Sequence, residues 1–194
     1  ALWLEGLPDG TDDFEKAKYI YDALILRTEY EQGSADSQTI CSVLLNQRSV
    51  CQGYAKTFQY LCQLAGIPAM LVTGDVNGEG HAWNIVFLDG DWYYIDPTWG
   101  DASYQREEGE ETPTLTETVN YDYFCVTTQE IERTHSMDDN QLLPVCSAVQ
   151  DQYYRHEGLY LQSADKEKID EIFARRWFVF SVRTIPFIRK CTGC

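Results

Sequence analysis

Helical runs followed by an antiparallel meander predict an α+β domain, and two stretches carry that prediction. From Cys51 to Ala65 apolar residues recur at helical spacing, with Phe58, Leu61, Cys62 and Ala65 on one side. Downstream, the reversal signals Asn77-Gly78 and Asp89-Gly90 separate three short runs rich in aromatic and β-branched residues. The 194 residues read as one domain, 1–194, large enough to bury a core and free of internal repeats.

Taken in order, Asp12 or Asp13 is set as an N-cap. Phe14, Ala17, Tyr21, Leu24 and Leu26 then give a helix an apolar face as far as about Tyr30. A polar loop from Glu31 to Asp36 follows, and Ser37 opens a short helix carrying Ile40, Val43 and Leu44. The helix that starts at Cys51 stops at Gly66, with Pro68 just beyond. Strands are expected over Ala69–Val76, His81–Leu88 and Asp91–Asp96, the last ended by Pro97. Asp101 to Thr118 is acidic, Thr-rich and aperiodic, and so reads as a long loop. Further on, the pattern predicts a strand over Tyr121–Val126, a short helix over Thr128–Arg133 and a strand over Tyr153–Leu161. A helix from a Ser163 cap to about Arg176 and a last strand over Trp177–Val182 complete the chain.

Lys and Arg number 15 against 31 Asp and Glu, a net charge of −16 that makes nucleic acid a poor partner. No apolar run approaches the roughly 18 residues needed to span a bilayer, and the stretch after Ala1 lacks the pattern of a leader. Seven cysteines are many and odd in number. Six could form bridges around one free nucleophile, which would suit an extracytoplasmic protein. The competing reading is buried free thiols.

Cys51 is the first candidate for chemistry. A cysteine at a helix start meets unpaired backbone N–H groups and the positive end of the helix dipole, which stabilise thiolate over thiol. Gly53, inside the first turn, permits close approach of another chain or a substrate. His81 opens one strand, and Asp96 closes its neighbour across the Asp89-Gly90 turn, at similar distances from that turn. A carboxylate there would fix the imidazole tautomer while the other ring nitrogen faces the thiol. The three residues supply nucleophile, base and orienter.

These residues sit in recognisable text. Val50-Cys51-Gln52-Gly53-Tyr54-Ala55, Leu64-Ala65-Gly66-Ile67-Pro68-Ala69, His81-Ala82-Trp83-Asn84 and Trp92-Tyr93-Tyr94-Ile95-Asp96-Pro97-Thr98-Trp99 resemble, in order, motifs of the transglutaminase-like superfamily. The motif core covers about residues 50–101, and the chain from about 141 is only loosely matched. The resemblance implies a papain-like, transglutaminase-core fold, with the nucleophile helix packed on an antiparallel β-sheet and a Cys51, His81, Asp96 triad. It also implies thiolate attack on an amide carbonyl of a protein or peptide, giving a thioester acyl-enzyme. Members that resemble this chain include cross-linkers, hydrolases, amidases and forms without activity.

Hydrolysis by a peptidase or amidase is slightly favoured over transglutaminase cross-linking, because water needs no second binding site. The alternative is a non-catalytic binding or scaffold domain. Gln47 is a candidate oxyanion donor, and Trp83 and Trp99 are candidate cleft walls. No cofactor and no metal are expected. Asp75-Val76-Asn77-Gly78-Glu79-Gly80 imitates the start of a calcium loop, but Val86 stands where a late Glu is needed, so the hairpin reading prevails. Cys191 and Cys194 form a lone C-x-x-C, read as bridge-forming rather than zinc-binding. His135 and His156 are assigned to ordinary polar packing. An extracellular or cell-surface bacterial setting follows from the cysteine count and the resemblance.

Overall fold

The structure, a computed structural model, describes residues 3–7, 10–34, 36–101, 119–163, 165–172 and 174. Helix α1 (Asp13–Arg27) begins where Asp12 accepts a hydrogen bond from the Glu15 N–H at 2.8 Å, and it buries Phe14, Ala17, Ile20, Tyr21 and Leu24 completely. It ends at Arg27, short of the expected Tyr30. Thr28 turns extended, and β1 (Glu29–Tyr30) pairs in parallel with β2 (Arg48–Ser49). Tertiary pairing here overrides helical spacing. Helix α2 (Ile40–Leu44) likewise starts after Ser37. The Ser37 carbonyl accepts from the Val50 N–H at 3.1 Å and the Ser49 hydroxyl at 2.7 Å, which holds that residue outside the helix.

Helix α3 (Cys51–Leu64) follows directly, with Val50 extended as its N-cap and no side chain capping the first turn. At its other end Gly66 takes φ 82°, and the N–H groups of Gly66 and Ile67 donate to the carbonyls of Gln63 and Cys62 at 3.2 and 2.9 Å. This is the paired closure that a left-handed glycine allows. Gly53 serves the protein's own chain: a Cβ there would collide with the Ser49 hydroxyl and lie 2.8 Å from the Ser37 carbonyl. Gly53→Ala is therefore expected to lower stability by about 1–3 kcal/mol, the usual range for overpacking, read as a fall in Tm. An unchanged Tm would contradict so tight a fit.

Five antiparallel strands form the sheet in the order β6-β5-β4-β3-β7. They are β3 (Ala69–Val76), β4 (Glu79–Leu88), β5 (Asp91–Ile95), β6 (Phe124–Val126) and β7 (Ser136–Met137). Both hairpin turns have positive φ at their two central residues, Asn77 and Gly78, then Asp89 and Gly90. That geometry matches the right-handed twist of the strands. Asp75 Oδ1 accepts from the Gly78 N–H at 2.7 Å, so this carboxylate serves the turn.

Helices α1 and α3 share one core cluster with Val86, Leu88, Tyr93 and Ile95 of the sheet. Val72, Trp83, Ile85 and Tyr94 form a second cluster with Ile131 of α4 (Thr128–Ile131), which a Thr127–Glu130 capping box starts. Asn84 ties β4 to α3, its Nδ2 donating to the Ala55 carbonyl at 2.9 Å. The fold is the α+β arrangement expected, with the Cys51 helix packed on an antiparallel sheet.

The strand expected from Tyr153 is instead a short helix, α5 (Tyr153–His156). Tyr153 stacks on Tyr121 with centroids 3.7 Å apart, and Tyr154 donates to Asp122 Oδ1 at 2.8 Å. Adjacent side chains thus both reach the protein, which strand alternation would not permit. His156 stacks on Phe14 at 3.6 Å, as packing.

The five described cysteines, Cys41, Cys51, Cys62, Cys125 and Cys146, are all free thiols, and the buried-thiol reading applies to Cys62, Cys125 and Cys146. The chain divides into two compact units, Ala1–His156 and Glu157–Cys194. In the second, residues 166–172 are helical, and Asp165 Oδ1 rather than Ser163 accepts from the first turn, at 3.1 Å from the Glu167 N–H. The loop over 102–118, the strand Trp177–Val182 and the pair Cys191 and Cys194 lie outside the described residues. Among the described residues no helix is long and apolar enough to cross a membrane.

Candidate active site

Cys51 is the first residue of α3, half-exposed, with no acidic side chain in that turn. Its backbone N–H has no partner within the helix by construction. The thiol faces a cleft of about 500 Å³ lined by Tyr30, Gln32, Val76, Glu79, His81 and Trp99, among others.

His81 lies on β4 and Asp96 follows β5, and the register fixes their meeting. Asn84 pairs with Ile95, so Asp96 falls opposite Trp83, one residue past the last pair. His81 is two positions along the same face. There its Nε2–H donates to Asp96 Oδ2 at 2.8 Å. The other ring nitrogen is free of Asp96, and His81 and Cys51 line the same cleft. The His81–Asp96 pair and the Cys51 residue therefore meet at one cleft.

The carboxylate is held from every side. Asp96 Oδ1 accepts from the backbone N–H groups of Thr98 at 2.8 Å and Trp99 at 3.1 Å. Oδ2 accepts from His81 and also from His135 Nε2, at 3.0 Å. Burial penalises the Asp96 charge, but the hydrogen bonds from His135 and His81 outweigh it and hold the carboxyl down at about 2. Burial likewise opposes the His81 cation. Hydrogen bonds to Asp96 and Cys51, with their charges, outweigh it and raise His81 to about 10.

Each shift has a sign for stability. The depressed Asp96 stabilises the fold above its ordinary range and loses that contribution as pH falls toward 2. The raised His81 contributes fully below about 6.5 and is lost as pH rises toward 10. Stability should be greatest between about pH 4 and 6.5, falling by about 2 kcal/mol on the acid side from Asp96 alone. A Tm series from pH 2 to 10 reads this directly. A maximum above pH 8 would contradict it.

Two expected site residues are elsewhere. Gln47 is exposed in a left-handed turn conformation, φ 56°, and lines a separate groove with Arg27, Glu29 and Arg48. It turns away because its backbone carbonyl receives the Glu29 N–H where β1 meets β2. Trp83 is fully buried behind the imidazole, 5.8 Å from the His81 ring, and only Trp99 of the two tryptophans walls the cleft. Conversely, Tyr30 and Gln32 line the cleft and carry no signal in the sequence, since they reach it by the β1–β2 pairing.

His135 is not ordinary polar packing. It follows α4, is 3% exposed, and meets the same Asp96 oxygen as His81. His81, Asp96 and His135 are the trio of potential metal ligands among the described residues, with their ligand atoms within 4.8 Å of one another. A tetrahedral zinc needs ligand atoms roughly 3.3 Å apart. The nitrogens instead sit 2.8 and 3.0 Å from the oxygen, a spacing that suits hydrogen bonds.

Residues 5–97 match the Transglutaminase-like superfamily. That stretch, just under half of the chain, is similar to the superfamily. Kyphoscoliosis peptidase of Homo sapiens is 33% identical to this chain over 113 residues, which cover 50% of this chain and 17% of that protein. The Mus musculus Kyphoscoliosis peptidase is 32% identical over the same length, with the same coverage. The matched stretch is thus a small part of these curated relatives. The crystal structure of a TGase aligns with a TM-score of 0.42 at 21% identity, covering 56% of this chain and 31% of that one.

Proposed function

We propose that this protein is a thiol enzyme that transfers acyl groups from amide bonds of proteins or peptides, with water as the favoured acceptor. The observation that carries the reading is the His81–Asp96 hydrogen bond, with Cys51 and His81 lining one open cleft. A scaffold gains nothing from such a grouping. Its relation to proteins called peptidases supports the same reading.

The Cys51 thiolate attacks the carbonyl carbon, and the carbonyl π pair moves to oxygen. That oxyanion faces the Cys51 backbone N–H, which has no partner within its helix. His81, bearing the proton taken from the thiol, gives it to the amide nitrogen as the C–N bond breaks and the amine leaves. A thioester remains on Cys51. Water then attacks, His81 accepts its proton, and the thiolate departs as the acid is released. Asp96 stays ionised throughout, holding the ring and stabilising its cation.

The test offers a glutamine-bearing protein together with a labelled primary amine. Release of peptide or ammonia without label is the expected result. Label in the protein would show cross-linking in place of hydrolysis, and neither product from a broad peptide library would leave the scaffold.

A further inference from the structure

We propose that His135 is a positioning residue: donating from Nε2 to the Asp96 oxygen that also receives His81, it holds that carboxylate aimed at the base of the Cys51–His81 pair. The proposal rests on the thiol-enzyme reading above and deepens it.

The chemistry of Asp96 fixes the direction of both bonds. An ionised carboxylate only accepts, so a ring nitrogen at hydrogen-bond distance from it must carry a proton. His81 Nε2 at 2.8 Å and His135 Nε2 at 3.0 Å are therefore both donors to Oδ2. With the Thr98 and Trp99 N–H groups on Oδ1, Asp96 accepts four hydrogen bonds. Four is about what a carboxylate can take. The backbone pair fixes one oxygen, and His135 fixes the other. Without it, Oδ2 would be held only by the imidazole that it is meant to orient.

The fold places His135 there deliberately. Gly74 of β3 pairs with His81 on one side and with Met137 of β7 on the other. A Cβ at Gly74 would collide with the Ser136 carbonyl and lie 2.8 Å from the Trp83 ring, so β7 comes in only because that position is glycine. The strand brings His135, just before it, to the back of the site. Thr134 then holds the other end of the ring, its hydroxyl 2.8 Å from Nδ1. Trp83, Trp99 and Tyr123 enclose the imidazole, with centroids 4.8, 4.9 and 5.6 Å away. A ring walled on its faces and bonded at both nitrogens has a fixed direction, as a supporting residue for a catalytic group requires.

The experiment measures alkylation of Cys51 by iodoacetamide at pH 6 by peptide mapping, with exposed Cys41 as the internal standard. His135→Leu removes the donor and should slow Cys51 about tenfold relative to Cys41, since a small misplacement of a catalytic group costs that much or more. His135→Gln, whose side-chain nitrogen can reach the Nε2 position, should recover the rate to within about threefold. A folded His135→Leu that reacts like the wild type would overturn the proposal. So would equal loss in both variants, because shape rather than the donor would then matter.

Should the Leu variant not fold, nitrogen–proton correlation spectra of the wild-type imidazoles decide. A protonated His135 Nε2 coupled to Asp96 is expected, and a bare Nε2 would refute the assignment. Wild-type Cys51 reacting no faster than Cys41 would instead defeat the thiol-enzyme reading itself, so the two failures are distinguishable.

Discussion

Cys51→Ala should leave a folded protein with activity on any amide substrate reduced by at least about a thousandfold, because the proposed reaction forms its thioester on that residue. The structural cost should be small. Cys51 is half-exposed, and α3 is held by Tyr54, Phe58, Leu61 and Cys62, all buried in the core. A Tm within a few degrees of the wild type, with turnover lost, is the expected pair of results. Cys51→Ala with wild-type turnover would remove the residue from the chemistry. An unfolded variant would make it structural.

Asp96→Asn should cost nearly as much, for a different reason. The new side chain keeps an oxygen for the Thr98 and Trp99 N–H groups, so the backbone after β5 stays in place. Its nitrogen, however, now donates toward the two imidazoles where Oδ2 accepted. His81 must then present a bare Nε2 and carry its proton on Nδ1, facing the sulfur it should deprotonate. A base with its lone pair on the wrong side is no base, and a fall in kcat of about ten-thousandfold is expected, with KM little changed. The acid limb of the stability profile should flatten as well, since the depressed carboxyl is gone. Turnover within tenfold of the wild type would show that Asp96 does not orient His81.

The meander was legible because its determinants are local. Asn77-Gly78 and Asp89-Gly90 each supply two residues tolerant of positive φ, and the second turn sets the register that carries Asp96 to His81. Helix α3 was legible for the same reason, from the Cys51 start to the Gly66 stop. What escaped depends on contacts between distant segments. Helix α1 stops early because Glu29 and Tyr30 pair with Arg48 and Ser49, and that pairing also takes Gln47 away from the thiol and brings Tyr30 and Gln32 to it. His135 lies 39 residues beyond Asp96, on a segment without periodicity. Its one local sign was rarity, as one of three histidines in the chain. Only the β3–β7 pairing at Gly74 reveals where it goes.

Burial pushes the Cys62 and Cys125 thiols well up and Cys146 to about 12, so at mildly acidic pH these three should be inert. That leaves Cys41 and Cys51 as the described thiols open to a reagent. The direct measurement is their relative rate of alkylation at pH 6 in the wild type and in His81→Ala. Activation by the neighbouring imidazole should make Cys51 at least about tenfold faster than Cys41, with the advantage gone in the variant. Equal rates at the two sulfurs in the wild type would mean that Cys51 and His81 do not form a reactive pair.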